Sequence, residues 1–283
     1  MRHVTLHMLD DVILRVTTLE GELISHTAGR PPFFDEPTSY TLRLEAADVA
    51  MDTGSLSALL NHQVFRGGKT PIRDLALVIA DGRIQAKGKI HRGLDIPFTM
   101  TATISPATDG RVRLHATGIK AVGVPVKGML DLFGVELEDL MKMPAGRGVQ
   151  ADGDDLLLAP TVMMPAPPME GQVKDVRIAG AQIAMQLIGP GKPPARPSTL
   201  PDPAARNFIY FHGGSIRFGK LTMSDSDLEL VDADGRDWFD FYPARYKAQL
   251  IAGYSKNTER GGLRTVMPDY SDLVGGRSQV GRR

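Results

Sequence analysis

The chain has 283 residues, no cysteine, 33 basic against 33 acidic side chains and a pI near 7.1. That excludes disulfides, thiolate metal sites and a cysteine nucleophile, and it lacks the basic excess of a nucleic-acid binder. A hydrophobic fraction of 42% is ordinary for a globular protein, and no run approaches the roughly 18 apolar residues of a membrane-spanning helix.

The N-terminal stretch HVTLHMLDDVILRV reads as two strands. Val4, Leu6 and Met8 share one face of the first, and Val12, Leu14 and Val16 share one face of the second. Asp10 and Asp11 break the run before an apolar core of about 7 residues builds up, so as written it is not a signal peptide. The expected location is periplasmic or otherwise extracytoplasmic if an export signal has been removed, and cytoplasmic if the sequence is complete as written. Residues 29–39 form a Pro-rich loop. In YTLRLEAADVAMD, Leu42, Leu44 and Ala46 alternate with Thr41, Arg43 and Glu45, predicting another half-buried strand. The period then changes. Leu56, Leu59, Leu60 and Val64 fall at i, i+3, i+4 and i+8, predicting a short amphipathic helix with Thr53 or Ser55 as N-cap and Gly67–Gly68 as its stop.

Strands resume at Ile72 with a hairpin about Asp81–Gly82. Ile84, Ala86, Gly88 and Ile90 point inward; Arg83, Gln85, Lys87, Lys89 and His91 point outward. The next strand carries Leu94, Ile96, Phe98, Met100, Ala102 and Ile104 on one face, and the one after it Val112, Leu114 and Ala116. Long strands with one wet face predict an antiparallel sheet packed on one side. VPVKGMLDLFGVELEDLMKM, residues 124–143, is the most apolar helix candidate. Val126, Met129, Leu130, Phe133, Leu137, Leu140 and Met141 form a helical stripe, and Leu132 and Val135 widen it. Strands return with DDLLLAP and a hairpin about Gly180. Residues 189–206 hold six prolines in eighteen positions and read as a linker or strap. Residues 207–271 are a β-rich extension with one helix in PARYKAQLIAGY, and 272–283 a flexible tail.

Several motifs invite chemistry and fail its requirements. GSIRFGKLT nearly spells a phosphate-binding loop, but Leu221 replaces the hydroxyl residue and the surrounding pattern is strand after strand. Asp232, Asp234 and Gly235 lack the spaced ligands and distal glutamate of a helix–loop–helix calcium site, so a solvated turn is expected. His3 and His7 share a strand face without a third ligand nearby, and surface histidines are the reading for all seven. No nucleophile elbow or metalloprotease spelling occurs. The expectation is therefore a non-enzyme with no metal and no cofactor. Thirteen methionines are many for this length, and Met129, Met141, Met143, Met163, Met164, Met169 and Met185 cluster in and after the apolar helix.

Across residues 11–188, SLSALLNHQVF, then DGRIQAKGKIHRGLDIPFTMTATI, then the apolar helix and PPMEGQVKDVRIAG resemble the LmeA-like family of small bacterial lipid-binding proteins. The resemblance extends more loosely to tubular lipid-binding (TULIP) domains. It implies an α+β, mostly β fold: a long, strongly curved antiparallel sheet wrapped around one or two amphipathic helices. It further implies an apolar groove for acyl chains in a protein of the bacterial cell envelope. Residues 1–188 would be that domain, and the small C-terminal α/β extension has no counterpart in the family. The groove is expected to be lined by Val126, Met129, Leu130, Phe133, Leu137 and Met141 of the helix, Ile96, Phe98 and Met100 of the strand face, and Met163 and Met164. Partners would be a lipid or fatty acyl ligand and, transiently, a membrane. The alternative is a non-enzymatic scaffold or envelope-assembly protein with a fully packed core.

Overall fold

The computed structural model describes residues 1–66, 71–121, 124–128, 147–190 and 204–275. β1 (Arg2–Leu9) and β2 (Val12–Ser25) pair antiparallel, and Val4, Leu6, Val12, Leu14 and Val16 are buried as their alternation predicts. β3 (Tyr40–Asp52) pairs with β2, but its alternation breaks midway. Leu44 is buried, whereas Ala46 is exposed and Ala47, Val49 and Met51 take the inner face. Glu20 opposes Ala46 while Gly21 opposes Leu44, so Glu45 is an extra residue that inverts the strand's faces. Gly21 makes the bulge possible, because a Cβ there would lie 2.5 Å from the Arg43 carbonyl oxygen.

α1 (Thr53–Leu59) continues into a π-helical turn, Leu60–Val64, and Leu59, Leu60 and Val64 are buried. Its N-cap is Asp52 rather than Thr53 or Ser55; the Asp52 carboxylate accepts the Ser55 N–H at 2.7 Å. The anticipated glycine stop, Gly67–Gly68, lies outside the described residues.

β4 (Ile72–Ala80), β5 (Arg83–Arg92), β6 (Leu94–Pro106) and β7 (Val112–Ala121) form the expected meander. Asp81 and Gly82 have φ of 52° and 67°, the two left-handed residues of the tightest hairpin turn. β8 (Val124–Val126) pairs with β7. Val126 belongs to the helical stripe by spacing, yet it closes this strand opposite Ile119, because three extended residues can still extend the β7 ladder. Residues 129–143 of the anticipated helix lie outside the described residues. β9 (Val149–Asp152) and β10 (Asp155–Leu158) form a hairpin that joins β7. This gives a seven-stranded sheet among the described residues, ordered β4-β5-β6-β7-β10-β9 with β8 also against β7.

α2 (Pro160–Met163) and β11 (Met169–Glu170) lead to β12 (Gln172–Ala179) and β13 (Gln182–Ile188), a hairpin about Gly180 in which β13 pairs with β3. The C-terminal part holds β14 (Phe208–His212), β15 (Ser215–Phe218), β16 (Leu221–Ser224), β17 (Asp227–Asp232), β18 (Phe239–Phe241), α3 (Tyr246–Ala252), β19 (Tyr254–Asn257), β20 (Leu263–Met267) and α4 (Tyr270–Gly275). α4 takes in the first residues of the anticipated tail. β15 and β16 make a separate hairpin, so GSIRFGKLT is strand, turn, strand. The other C-terminal strands continue the first sheet. Its order is β12-β13-β3-β2-β1-β14-β17-β20-β19, with β11 on β3 and β18 on β1. Phe239 and Phe241 are fully buried in the same apolar cluster as Val4 and Leu6. Residues of the C-terminal extension thus complete the core of the N-terminal strands.

The fold is mostly β, built on a large mixed sheet. Both sheets contribute to one apolar core, Leu14 and Val49 from the first and Ile84, Ala102 and Leu114 from the second. At one end the β6–β7 turn is tied to β12, the Val173 N–H donating to the Gly110 carbonyl at 2.7 Å.

Candidate apolar ligand site

Between the two sheets lies an apolar slot. Met51 of β3 and Ile183 and Met185 of β13 form one wall, and Ile104, Val112, Leu114 and Leu158 of β6, β7 and β10 the other. Leu56 and Leu59 of α1 close one side, and Pro160, Met163 and Met164 of the α2 segment another. Register builds these walls. Ile183 sits opposite Met51 on paired strands, Ile104 opposite Leu114, and Leu158 opposite Val112, so each sheet presents adjacent apolar residues to the gap.

Polar side chains outside the slot hold its helical walls in place. Ser55 Oγ accepts the Ile13 N–H of β2 at 3.1 Å, and Ser57 Oγ accepts the Leu77 N–H of β4 at 2.9 Å. Asn61 bonds the Leu75 backbone in both directions, Nδ2 donating to its carbonyl at 2.8 Å and Oδ1 accepting its N–H at 3.2 Å. Arg147 donates to the Val64 and Arg66 carbonyls, each at 2.7 Å, and so caps the C-terminal end of the π turn. Gly148 (φ 72°) comes next; a Cβ there would stand 2.8 Å from Met163 Cγ, so glycine lets α2 close on the slot.

The unfilled space is about 30 Å³, close to one water's share of liquid volume. Among the described residues, none of the lining side chains titrates. These residues can hold apolar matter and offer no acid, base or nucleophile.

Of the residues named from the sequence, Met163 and Met164 line the slot. Phe98 and Met100 are buried on the same β6 face without reaching it, while Ile104 of that face does. Ile96 is not brought in: with Leu94 it lies at the far end of β6, 36% and 77% exposed, where the strand outruns the apolar core. Val126 is in β8, and Met129, Leu130, Phe133, Leu137 and Met141 lie outside the described residues. Met51, Ile183 and the α1 leucines join the slot without having been marked for it by the sequence. Their apolar periodicity shows that they are buried, but which sheet they face depends on strand order.

A second set of functional groups gathers on the C-terminal side. His7 Nε2 lies 2.6 Å from Asp240 Oδ1, its ring stacked 5.2 Å from Tyr242; at 14% side-chain exposure it is not the surface histidine expected. Burial alone would raise Asp240, but the contacts with His7 and Ser271 outweigh it and hold the carboxyl below its ordinary range. Asp269 accepts the Asp240 N–H at 2.7 Å, yet burial, reinforced by Asp232, Asp237 and Asp240, pushes it up to about 7. Asp232, Asp234 and Asp269 each offer an oxygen within 4.8 Å of the others. The chain bends at Asp234–Gly235 as expected, Gly235 at φ 61°, and all three carboxylates already have partners: Asn207 donates to Asp232, Arg236 to Asp234, and the Asp240 N–H to Asp269.

Comparison with protein-family models, curated proteins and solved structures finds no match to this chain.

Proposed function

We propose that the protein is a non-enzymatic binder of a lipid or similar hydrophobic ligand, taken up between its two sheets at the methionine slot. The observation that carries this reading is the slot's lining: apolar side chains throughout, four of them methionines, Met51, Met163, Met164 and Met185. Methionine is unbranched and polarisable, and it repacks around guests of varied shape more readily than branched residues do. Burying about 14 methylenes of one acyl tail is worth roughly 11 kcal/mol before ordering costs. A space of about 30 Å³ does not hold such a tail, so uptake requires the methionines to change rotamer and α2 to move. In this reading the sheets curve around helix as in the LmeA-like and TULIP families, and the protein works in the bacterial cell envelope.

The competing reading, a packed scaffold without ligand, is favoured by the same small volume and by the burial of Phe98 and Met100 at 4% and 8% exposure. One experiment separates them. Native mass spectrometry with organic extraction, joined to uptake of a fluorescent fatty acid, is expected to show one apolar ligand per chain. Met164 is only half-buried at the slot's side, so Met164→Asp is expected to abolish uptake while circular dichroism stays unchanged. No extracted lipid and no uptake by the unmodified protein leaves the scaffold reading standing.

A further inference from the structure

β1 changes its outer partner within a few residues. Arg2 pairs with Phe208 of antiparallel β14, whereas Val4, Thr5 and Leu6 pair with Phe239, Asp240 and Phe241 of parallel β18. Between the two registers stands His3 at φ 49°, in the left-handed region that non-glycine residues seldom occupy. The sheet forks at this residue, and strands diverging from a fork leave a gap that no ladder fills. The gap measures about 430 Å³, and its walls include Arg2, His3, Arg206, Arg236, Asp237 and Trp238. That volume lies in the range of small-molecule sites.

The walls are held by specific contacts. Asn207, 4% exposed, donates through Nδ2 to Asp232 at 2.8 Å and to the Asp237 carbonyl, pinning the loop that carries Arg236, Asp237 and Trp238. The indole of Trp238 has two neighbours: the Arg15 guanidinium lies 4.2 Å from its ring, and the His3 ring, tilted to it, 5.4 Å away. Arg15 Nε is buried there with no hydrogen-bond partner among the described residues, so a cation sits close to the indole.

The charge balance selects the ligand. Arg236 is spent on Asp234, with contacts of 2.9 and 2.7 Å. Arg2 and Arg206 have no carboxylate within ion-pair distance among the described residues. Asp237 is the one acidic side chain on the wall among the described residues. We propose that the fork at His3 is a binding site for a small phosphomonoester. Its dianionic phosphate takes Arg2 and Arg206, whose planar donor forks match phosphate oxygens. The ring or sugar of the ligand lies along Trp238, and Asp237 accepts from its hydroxyl groups. The phosphate group belongs either to a soluble metabolite or to a lipid headgroup. The site does not depend on the apolar slot, and it stands whether or not that slot takes a ligand.

The chain has a single tryptophan, so intrinsic tryptophan emission reports on this crevice alone. The full chain is titrated with inorganic phosphate, with phenyl phosphate, and with phosphatidylcholine vesicles containing phosphatidic acid. A saturable change in Trp238 emission with phenyl phosphate is expected, with affinity reduced about tenfold in Arg206→Ala and in Arg2→Ala at unchanged circular dichroism. Arg30→Ala, an exposed cation in the Pro-rich loop, is expected to leave the titration unaltered. Saturation by vesicles but not by the soluble probes assigns the headgroup source; saturation by the soluble probes assigns a metabolite. The proposal is overturned if no probe saturates up to about 10 mM, or if both arginine variants titrate like the unmodified chain.

Discussion

Asp240 and Asp269 are joined by one backbone hydrogen bond and are shifted in opposite directions, Asp240 down and Asp269 up to about 7. Asp240 is compensated by His7, whereas Asp269 is buried and raised further by three other aspartates. A carboxyl raised to about 7 keeps its proton in the folded state, so its stabilising contribution is full below about pH 4 and is lost as pH rises through 7. Asp269→Asn retains an oxygen for the Asp240 N–H and removes the charge. It is expected to raise stability by about 1–2 kcal/mol at pH 8, with little effect at pH 4, in thermal melts across that range. Parallel profiles for the two proteins would contradict it. Asp240 acts in the reverse sense, its contribution present above the ordinary carboxylate pKa and lost at lower pH. Asp232 and Asp234 are visible in the sequence as part of a dense acidic run. Asp269 joins them across 35 residues, so only the pairing of β17 with β20 reveals it.

At the scale of elements, periodicity marks α1 but not the contacts that fasten it. The stripe Leu59, Leu60 and Val64 is buried as predicted, yet the segment is tied to β4 by Asn61 and Ser57. Asn61→Ala removes two hydrogen bonds and leaves the Leu75 N–H and carbonyl without them. A loss of about 1–3 kcal/mol in urea unfolding is expected, with faster hydrogen exchange at Leu75. A change under about 0.5 kcal/mol would mean that apolar contact alone seats the helix. The strands show the complementary limit. Alternation locates β3 and β7, but bulges at Glu45 and Thr117 invert each strand's faces partway along, burying Ala47 and Ile119 instead of continuing the phase from Leu44 and Leu114. A bulge is one unpaired residue. Nothing in the bulged strand's own alternation marks it, since a bulge is defined by the register with the partner strand.

For the whole molecule, the proline-rich stretch suggests a boundary in the chain that the first sheet does not respect. β14 and β18 both pair with β1, and Phe239 and Phe241 are fully buried against the N-terminal core. A chain ending at residue 188 would expose the outer edge of β1 together with the apolar surface those phenylalanines cover. Edges of that kind pair with other chains. The truncated chain is expected to be aggregated or to melt at least about 10 °C lower, judged by size-exclusion chromatography and calorimetry. A monomer with the full chain's melting temperature would show that the C-terminal strands are dispensable.

The sequence by itself determined the mostly β character of the fold, the meander with its Asp81–Gly82 hairpin, the separate Gly180 hairpin, and the inward face of β1 and of the first half of β2. Those features depend on interactions between residues close in the chain, where side-chain alternation and left-handed turn residues act directly. Tertiary structure alone decided which sheet faced which, that Met51, Met163 and Met185 meet at one slot, and that β1 forks at His3 between strands more than 200 residues away. Burial is a property of one residue's hydrophobicity. Adjacency of two buried faces is a property of strand order, which is set by packing the whole chain at once.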